Sequence, residues 1–100
     1  MYDMKNLAKI KKLGELAPEA FQGFMAFDEA AFKDGVIPLK YKELMAVAVA
    51  LTTQCPYCIE LHAKKAKNAG ATEQELAETT LVAAALRAGG AITHGMHALE

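Results

Sequence analysis

Both cysteines of the chain and one of its three histidines lie in the segment Cys55–His62, which reads CPYCIELH. Pro56 suits the first position of a helix, where its missing N–H has no partner to lose. His62 then lies one turn above Cys58 on the same helix face. The positive end of the helix dipole favours a thiolate, which is the reactive form of cysteine. The segment therefore predicts a redox-active dithiol, with a base beside it, at the start of a helix.

Two other uses of a Cys-x-x-Cys pair conflict with the sequence. A haem attachment site requires histidine directly after the second cysteine, and Ile59 stands there. A thioredoxin domain requires a strand before the active helix and a βαβ context, and no such strand is convincing here. The dithiol thus resembles that of thioredoxin in its chemistry but not in its fold.

Zinc binding stays open as an alternative, because Cys55, Cys58 and His62 would supply three ligands. A fourth ligand would have to come from Glu43, His94 or His97. The second cysteine pair that usually accompanies this spacing is missing. His94 and His97 are read as surface or interface histidines, and no metal is expected. A further alternative is that the cysteines are two small buried hydrophobic residues without chemistry.

The spacing suggests a division of labour between the two thiols. Cys58 has His62 one turn away to take its proton, so we expect Cys58 to attack a peroxide and become a sulfenic acid. Cys55, at the helix cap, is expected to be more exposed, to close the disulfide and to exchange with a reductant. Glu43 would orient His62 if the third helix passes nearby. Tyr57 either donates a hydrogen bond at the site from its hydroxyl or packs its ring over the helix start.

Turn signals separate a series of helical patterns, which predicts an all-α bundle of about five to six helices with the Cys-x-x-Cys pair at the N-terminus of a central helix. The capping-box pattern of Thr72 and Glu75 marks one start, and Gly70 suits a left-handed helix end. Gly14 and the pair Gly89-Gly90 are read as helix ends. The predicted helices cover residues 4–13, 18–32, 39–52, 56–69, 73–90 and 91–99.

Apolar surface is unusually abundant in two of these helices. The run Leu44–Leu51 has no polar face and indicates a helix buried on most sides. The second helix carries a broad stripe, interpreted first as core, second as a subunit contact and third as part of a pocket. Its members are Phe21, Phe24, Met25, Phe27, Ala31 and Phe32.

Composition limits the partners of the chain. One hundred residues make one domain, 1–100, for which oligomerisation would help to bury a core. A net charge of −1 argues against a nucleic-acid partner. No apolar run is long enough to predict a membrane span, and an amphipathic pattern rather than a secretory leader follows the first residues. We therefore expect a cytoplasmic protein, where a close cysteine pair is more often catalytic or metal-binding than structural.

A longer set of residues resembles the carboxymuconolactone decarboxylase family, and within it the alkylhydroperoxidase D-like (AhpD-like) branch. The likeness covers roughly residues 36–90. Its residues are Pro38-x-x-x-Lys42-Glu43-Leu44, an Ala/Val-rich helix, Cys55-Pro56-Tyr57-Cys58-x-x-x-His62, Ala66, Gly70-Ala71-Thr72 and Glu75-Leu76.

The resemblance implies a thiol-dependent peroxidase or disulfide reductase. Glu43 and His62 would form a proton relay that activates Cys58, with Cys55 as the partner in disulfide formation. It implies an all-α homo-oligomer, a trimer or a hexamer, that needs no cofactor. Its substrate would be a hydroperoxide or a disulfide. A thiol electron donor, such as a lipoyl- or thioredoxin-like protein, would then reduce the oxidised cysteine pair. The best-known member of the branch has a histidine at the position of Tyr57, so no extra proton donor is carried over there.

Two alternatives of other classes remain. The decarboxylases that name the family transfer protons on a lactone acid and typically lack the cysteine pair, so Cys55 and Cys58 argue against that chemistry. In such an enzyme, His62 and Glu43 would be the acid and base. A non-enzymatic metal-binding or thiol-sensing module is the other alternative.

Overall fold

The computed structural model describes residues 2–99, and this part of the chain is helical with no strand. The predicted all-α fold is confirmed. None of the helices described is long and apolar enough to cross a membrane. The α-helices are α1 (Ile10–Leu16), α2 (Pro18–Ala31), α3 (Leu39–Thr53), α4 (Pro56–Asn68) and α5 (Glu73–Gly95), and 3-10 helices cover Met4–Lys9 and Met96–Leu99.

Helix α3 is the centre of the fold, because both α4 and α5 pack against it, whereas α1 packs against α2. Small side chains at these contacts let the helix backbones approach closely. The buried apolar residues are Leu44, Val47 and Ala50 of α3, Ala66 of α4, Ala71 before α5 and Ala83 of α5. The prediction that α3 is buried on most sides is wrong for the single chain, because Met45 and Val49 remain about half exposed.

At the N-terminus, the prediction that Gly14 ends the first helix is wrong. A 3-10 helix leads into α1, and α1 continues through Gly14 to Leu16. A Cβ atom at position 14 would lie 2.8 Å from a ring carbon of Phe21. Gly14 therefore serves the close packing of α1 on α2 rather than a helix end.

At the C-terminus, the prediction of a helix end at Gly89-Gly90 is also wrong. Helix α5 runs through both glycines for 23 residues, and a 3-10 turn follows it. Neither glycine adopts a positive φ, in contrast to Gly70 at 101°. Each helical glycine costs about 1 kcal/mol relative to alanine. Continuous backbone hydrogen bonding outweighs that cost where no proline or left-handed residue interrupts the helix.

The predicted cap of α5 is confirmed. The Glu75 N–H donates to the Thr72 hydroxyl oxygen at 3.1 Å, and the Thr72 N–H donates to the Glu75 carboxylate at 2.9 Å. This reciprocal pair satisfies two backbone donors that the first turn of a helix leaves without partners. Gly70, two residues earlier, takes the predicted left-handed conformation.

The chain is more extended than a compact domain of its length. Its radius of gyration is 16.6 Å and its extents are 51 × 34 × 29 Å. A compact domain of 100 residues has a radius of gyration of about 13 Å. Within the described residues, no large side chain is fully buried. The core on α3 is therefore small for the apolar content of the chain.

Replacing Thr72 by alanine should lower the free energy of unfolding by about 1 kcal/mol, because the first turn of α5 loses its side-chain cap. Urea denaturation followed by circular dichroism measures this change. Thr93→Ala is the matched control, since the Thr93 hydroxyl only donates back to Gly89 within the helix and its loss should be neutral. Equal effects of the two substitutions would contradict the capping role.

Candidate active site

A short hydrogen bond between α3 and α4 forms the centre of the candidate site. Nδ1 of His62 lies 2.6 Å from Oε1 of Glu43. Glu43 is only 4% exposed and is the one charged residue buried in the described part of the chain. The structure thus brings together two residues that are nineteen positions apart in the sequence. The expectation that the third helix passes near His62 is confirmed.

This contact determines which ring nitrogen of His62 is available for chemistry. An ionised carboxylate only accepts hydrogen bonds, so Nδ1 of His62 donates to Glu43. In the neutral ring, Nε2 then carries the lone pair and can accept a proton. The pair is therefore built as a base whose far side is oriented by a buried carboxylate.

The turn between α3 and α4 delivers the first cysteine. Gln54 ends α3 in the left-handed conformation with φ 59°, and it is the only non-glycine residue with positive φ among those described. The next N–H, that of Cys55, donates back to the Ala50 carbonyl at 3.1 Å. Arg87 of α5 also donates to the Thr52 carbonyl and so secures the end of α3. Cys55 is thereby placed at the N-cap of α4, with Pro56 as the first helical residue.

The pKa values of the two thiols shift in opposite directions from the ordinary value for cysteine. The Cys55 sulfur accepts the backbone N–H of Cys58 at 3.3 Å. A hydrogen bond from the Cys58 thiol, together with this N–H, lowers the pKa of Cys55 from its ordinary value. The same thiol–thiol hydrogen bond, aided by burial and by the charge of Cys55, raises the pKa of Cys58. When the reduced pair loses one proton, these shifts favour the thiolate at Cys55 and the remaining thiol at Cys58.

Both cysteines are half-buried free thiols on the turn that begins α4. His62 follows Cys58 by four positions within the regular helix Pro56–Asn68, so the predicted register is confirmed. All four predicted site residues therefore lie on α3, on α4 or on the turn that joins them.

Sequence reasoning missed an aromatic contact on His62. The Phe32 ring, just after the end of α2, stacks on the imidazole with a centroid distance of 5.2 Å and an interplanar angle of 13°. The apolar stripe of α2 was the only signal for it, and that stripe does not form core as first interpreted. Phe24, Met25 and Phe27 are 57%, 47% and 71% exposed.

Tyr57, between the cysteines, connects the dithiol turn to the start of the chain. Its hydroxyl oxygen accepts the Asp3 N–H at 3.3 Å and the Asn6 side-chain amide at 3.1 Å. The Tyr2 ring meets the Tyr57 ring edge-on at 4.9 Å, and the Tyr2 hydroxyl donates to Glu60 at 3.0 Å. The Tyr57 hydroxyl thus anchors the N-terminal segment to the first turns of α4.

The geometry gives little support to a metal site. Within residues 2–99, no group of three or more His, Cys, Asp or Glu side chains is arranged to hold a metal ion. His94 and His97 do approach each other, with ring centroids 6.1 Å apart. Two histidines alone do not complete a zinc site, which needs at least three protein ligands.

The chain is similar to known proteins over most of its length. The sequence model of the carboxymuconolactone decarboxylase family matches residues 18–100, a range that contains all four site residues. A relative from Paracoccus denitrificans, named "Uncharacterized protein 4 in cox locus", is 47% identical over 76 residues. That match covers 76% of this chain and 68% of the relative.

Two crystal structures share the fold. The apo form of a carboxymuconolactone decarboxylase family protein from Legionella pneumophila superposes with a TM-score of 0.79 at 35% identity, covering 95% of this chain and 85% of the other. A protein from Methanobacterium thermoautotrophicum gives a TM-score of 0.83 at 36% identity, covering 90% and 98%. The likeness thus extends over nearly the whole chain.

The opposite pKa shifts of the two thiols predict the order in which they are alkylated as the pH rises. With rising pH, iodoacetamide should modify Cys55 at a lower pH than Cys58, because the pKa of Cys55 is lowered and that of Cys58 is raised. Mass spectrometry of the two cysteines after timed alkylation measures both profiles. Cys55→Ser should shift the Cys58 profile to lower pH, because the neighbouring thiolate is gone. Identical profiles for Cys55 and Cys58 in the parent protein would contradict this account.

Proposed function

The chain belongs to the carboxymuconolactone decarboxylase family, and we propose that it is a thiol-dependent peroxidase or disulfide reductase of the AhpD-like kind. One observation carries the proposal. The Cys55–Cys58 dithiol begins a helix on which His62 follows in register, and His62 is hydrogen-bonded to the buried Glu43 at 2.6 Å. Oxidation of the two thiols to a disulfide supplies two electrons, and His62 is a base that can accept the proton released when a thiol reacts.

In the first step, His62 accepts the Cys58 proton at Nε2, and Glu43 stabilises the resulting imidazolium. The Cys58 thiolate attacks the terminal oxygen of a hydroperoxide, and the O–O bond breaks. Cys58 becomes a sulfenic acid, and the alkoxide leaves as an alcohol after taking the proton from His62. The peroxide is reduced by two electrons, and the sulfur is oxidised by the same two.

In the second step, the Cys55 thiolate attacks the Cys58 sulfur. An S–S bond forms, and the hydroxyl of the sulfenic acid leaves as water after taking up from solvent the proton that the Cys55 thiol lost on ionising. Overall, two thiols and one hydroperoxide give one disulfide, one alcohol and one water. A dithiol donor then restores the pair by exchange at Cys55. We propose a lipoyl- or thioredoxin-like protein in the cytoplasm as this donor, with disulfide substrates entering through the same exchange.

The acidities of the two thiols explain why Cys58 needs the relay. Its pKa is raised, so at neutral pH little of it ionises without help, and a nearby base removes that barrier. The lowered pKa of Cys55 suits a thiol that must attack sulfur and later exchange with the donor. The relay and the helix cap therefore serve different thiols.

A second candidate is a cofactor-free proton-transfer enzyme of the decarboxylase type. The Glu43–His62 pair favours it, because a base oriented by a buried carboxylate is competent without any thiol. The two functions differ in one respect that experiment can address directly, namely whether the cysteines are required.

Adding one equivalent of hydroperoxide should consume both thiols of each chain and form the Cys55–Cys58 disulfide, as read by mass spectrometry. Cys58→Ser should abolish peroxide consumption. Cys55→Ser should stop after one turnover, with a sulfenic acid on Cys58 that dimedone traps. His62→Gln and Glu43→Gln should slow the reaction by about a hundredfold. His97→Gln is the matched control and should react like the parent.

Three outcomes would count against this function. Unchanged peroxide consumption in the Cys55→Ser/Cys58→Ser double variant would refute it. Undiminished turnover of a lactone acid by that double variant would establish the decarboxylase alternative. Trapping of the first sulfenic acid on Cys55 rather than on Cys58 would reverse the proposed roles of the thiols.

We also propose that the chain assembles with copies of itself into a trimer or a hexamer. Large apolar side chains are exposed on several helices, which is uncommon on a monomer surface. They include Leu81, Val82, Leu86 and Ile92 of α5 and Phe24 and Phe27 of α2, each more than half exposed. A cleft of about 400 Å³ between α1 and α2 is lined almost entirely by apolar side chains such as Leu13 and Phe21.

The shape of the chain supports further copies of itself as the occupant of these surfaces. Its radius of gyration of 16.6 Å exceeds the compact value of about 13 Å, and its buried core is small. Copies of the same chain would cover both apolar helix faces and complete a core that one protomer lacks.

Light scattering after size exclusion should give three or six times the protomer mass of 10.7 kDa. Leu86→Glu should lower that mass, because it places a charge on the exposed apolar face of α5. Lys64→Glu, at an exposed polar position of α4, is the matched control. A parent mass of 10.7 kDa would contradict the assembly.

A further inference from the structure

Phe32, the residue that directly follows α2, contacts the candidate site. It follows the last residue of α2 and adopts φ −93° and ψ 5°, with its N–H donating to the Asp28 and Ala30 carbonyls. Its ring stacks nearly parallel on the His62 imidazole at 5.2 Å and 13°. This offset arrangement lies in the preferred range for aromatic pairs. The residue that caps the C-terminal end of α2 therefore contacts the base directly.

Lys42 fixes the backbone on both sides of Phe32. Its ammonium group donates to the Ala31 carbonyl at 3.0 Å and to the Lys33 carbonyl at 2.6 Å. These carbonyls belong to the residues immediately before and after Phe32. A cation is also favourable at the C-terminal end of a helix, where carbonyl groups lack partners.

Lys42 and Glu43 are neighbours on α3, and they reach the same imidazole by different routes. Glu43 accepts the hydrogen bond of Nδ1 at the ring edge. Lys42 acts through Phe32, whose ring covers a face of the imidazole. A single hydrogen bond leaves a ring free to swing about the donor–acceptor line, whereas a stacked neighbour restricts that rotation.

We propose that Phe32, held in place by Lys42, is a positioning residue that fixes the plane of the His62 ring and so aims Nε2 along α4 toward Cys58. This inference rests on the proposed function, in which His62 takes the Cys58 proton. A general base works only within hydrogen-bond reach of the proton that it removes. Small misplacements of such a group reduce rates steeply.

The test compares substitutions at Phe32 and Lys42 in Cys55→Ser protein, where Cys58 is the only thiol. Phe32→Ala removes the stacked ring, and Phe32→Tyr keeps it. Phe32 lines an open cleft of about 240 Å³ with Met45 and Val49, so its truncation widens a surface groove rather than leaving an enclosed cavity. Lys42→Met removes both carbonyl contacts, and Lys64→Met on the exposed side of α4 is its matched control.

Two readouts are used, and neither requires peroxide. The first is the rate of Cys58 alkylation by iodoacetamide, which follows the thiolate fraction, at about pH 7 and at about pH 10, on either side of the ordinary thiol pKa. The second is the order parameter of the His62 ring from ¹³C relaxation, which reports motion on the picosecond to nanosecond timescale.

Phe32→Ala should lower the alkylation rate about tenfold at neutral pH and leave it unchanged at alkaline pH, where Cys58 ionises without a base. The order parameter of the His62 ring should fall in the same variant. Phe32→Tyr should restore both values to within about twofold of the parent. Lys42→Met should show a smaller loss in the same direction, and Lys64→Met none.

Contradictory results separate this inference from the proposed function. A parent-like neutral rate in Phe32→Ala, combined with a large loss in His62→Gln, would refute the positioning role alone. An equal loss at both pH values would also refute it, because general structural damage does not disappear when Cys58 ionises. A His62→Gln rate equal to that of the parent would refute the relay, and with it the proposed function.

Discussion

The hydrogen bond between Glu43 and His62 is the contact on which the rest of the site depends. A carboxylate as buried as Glu43 is costly unless it is paired, and removal of a partner from such a pair typically destabilises a protein by several kcal/mol. His62 satisfies the carboxylate and in return has its Nδ1 held at 2.6 Å. Because the two residues belong to α3 and α4, the contact that orients the base also joins the two central helices. Packing and chemistry therefore constrain the same pair of side chains.

The dithiol depends on this pair because the start of α4 favours the thiolate of Cys55 but not that of Cys58. Cys55 occupies the cap position, and its sulfur accepts the backbone N–H of Cys58. Cys58 lies one turn inside, where its thiol donates a hydrogen bond to Cys55 and its pKa is raised. The N-terminal end of α4 thus stabilises the thiolate of Cys55, the thiol proposed to exchange with the donor. Cys58, the thiol proposed to attack peroxide, relies on His62 instead. A Cys-x-x-Cys pair by itself would have one reactive thiol, Cys55. The Glu43–His62 relay allows the second thiol, Cys58, to lose its proton as well.

Local rules predicted what depends on neighbours in sequence, such as the helix start at Pro56, the cap of α5 and the register of Cys58 with His62. Glu43 was only a conditional partner of His62 until the family resemblance assigned it to the relay, because the two residues lie on different helices. Phe32 could not be predicted, since its stacking follows from how α2 ends beside α4. Gly14 was misread for a related reason. Its local signal is a helix end, but its actual constraint is the close approach of another helix, which a linear pattern does not contain.

The most direct measurement of the central claim is the pH dependence of the single-turnover oxidation of Cys58 by hydroperoxide, with and without His62. It is made in Cys55→Ser protein between about pH 6 and pH 10, a range that brackets the ordinary thiol pKa. With His62 present, the rate should vary little around neutral pH. In His62→Gln it should be low there and rise about tenfold per pH unit until Cys58 ionises unaided. Superimposable profiles for the two proteins would contradict the account.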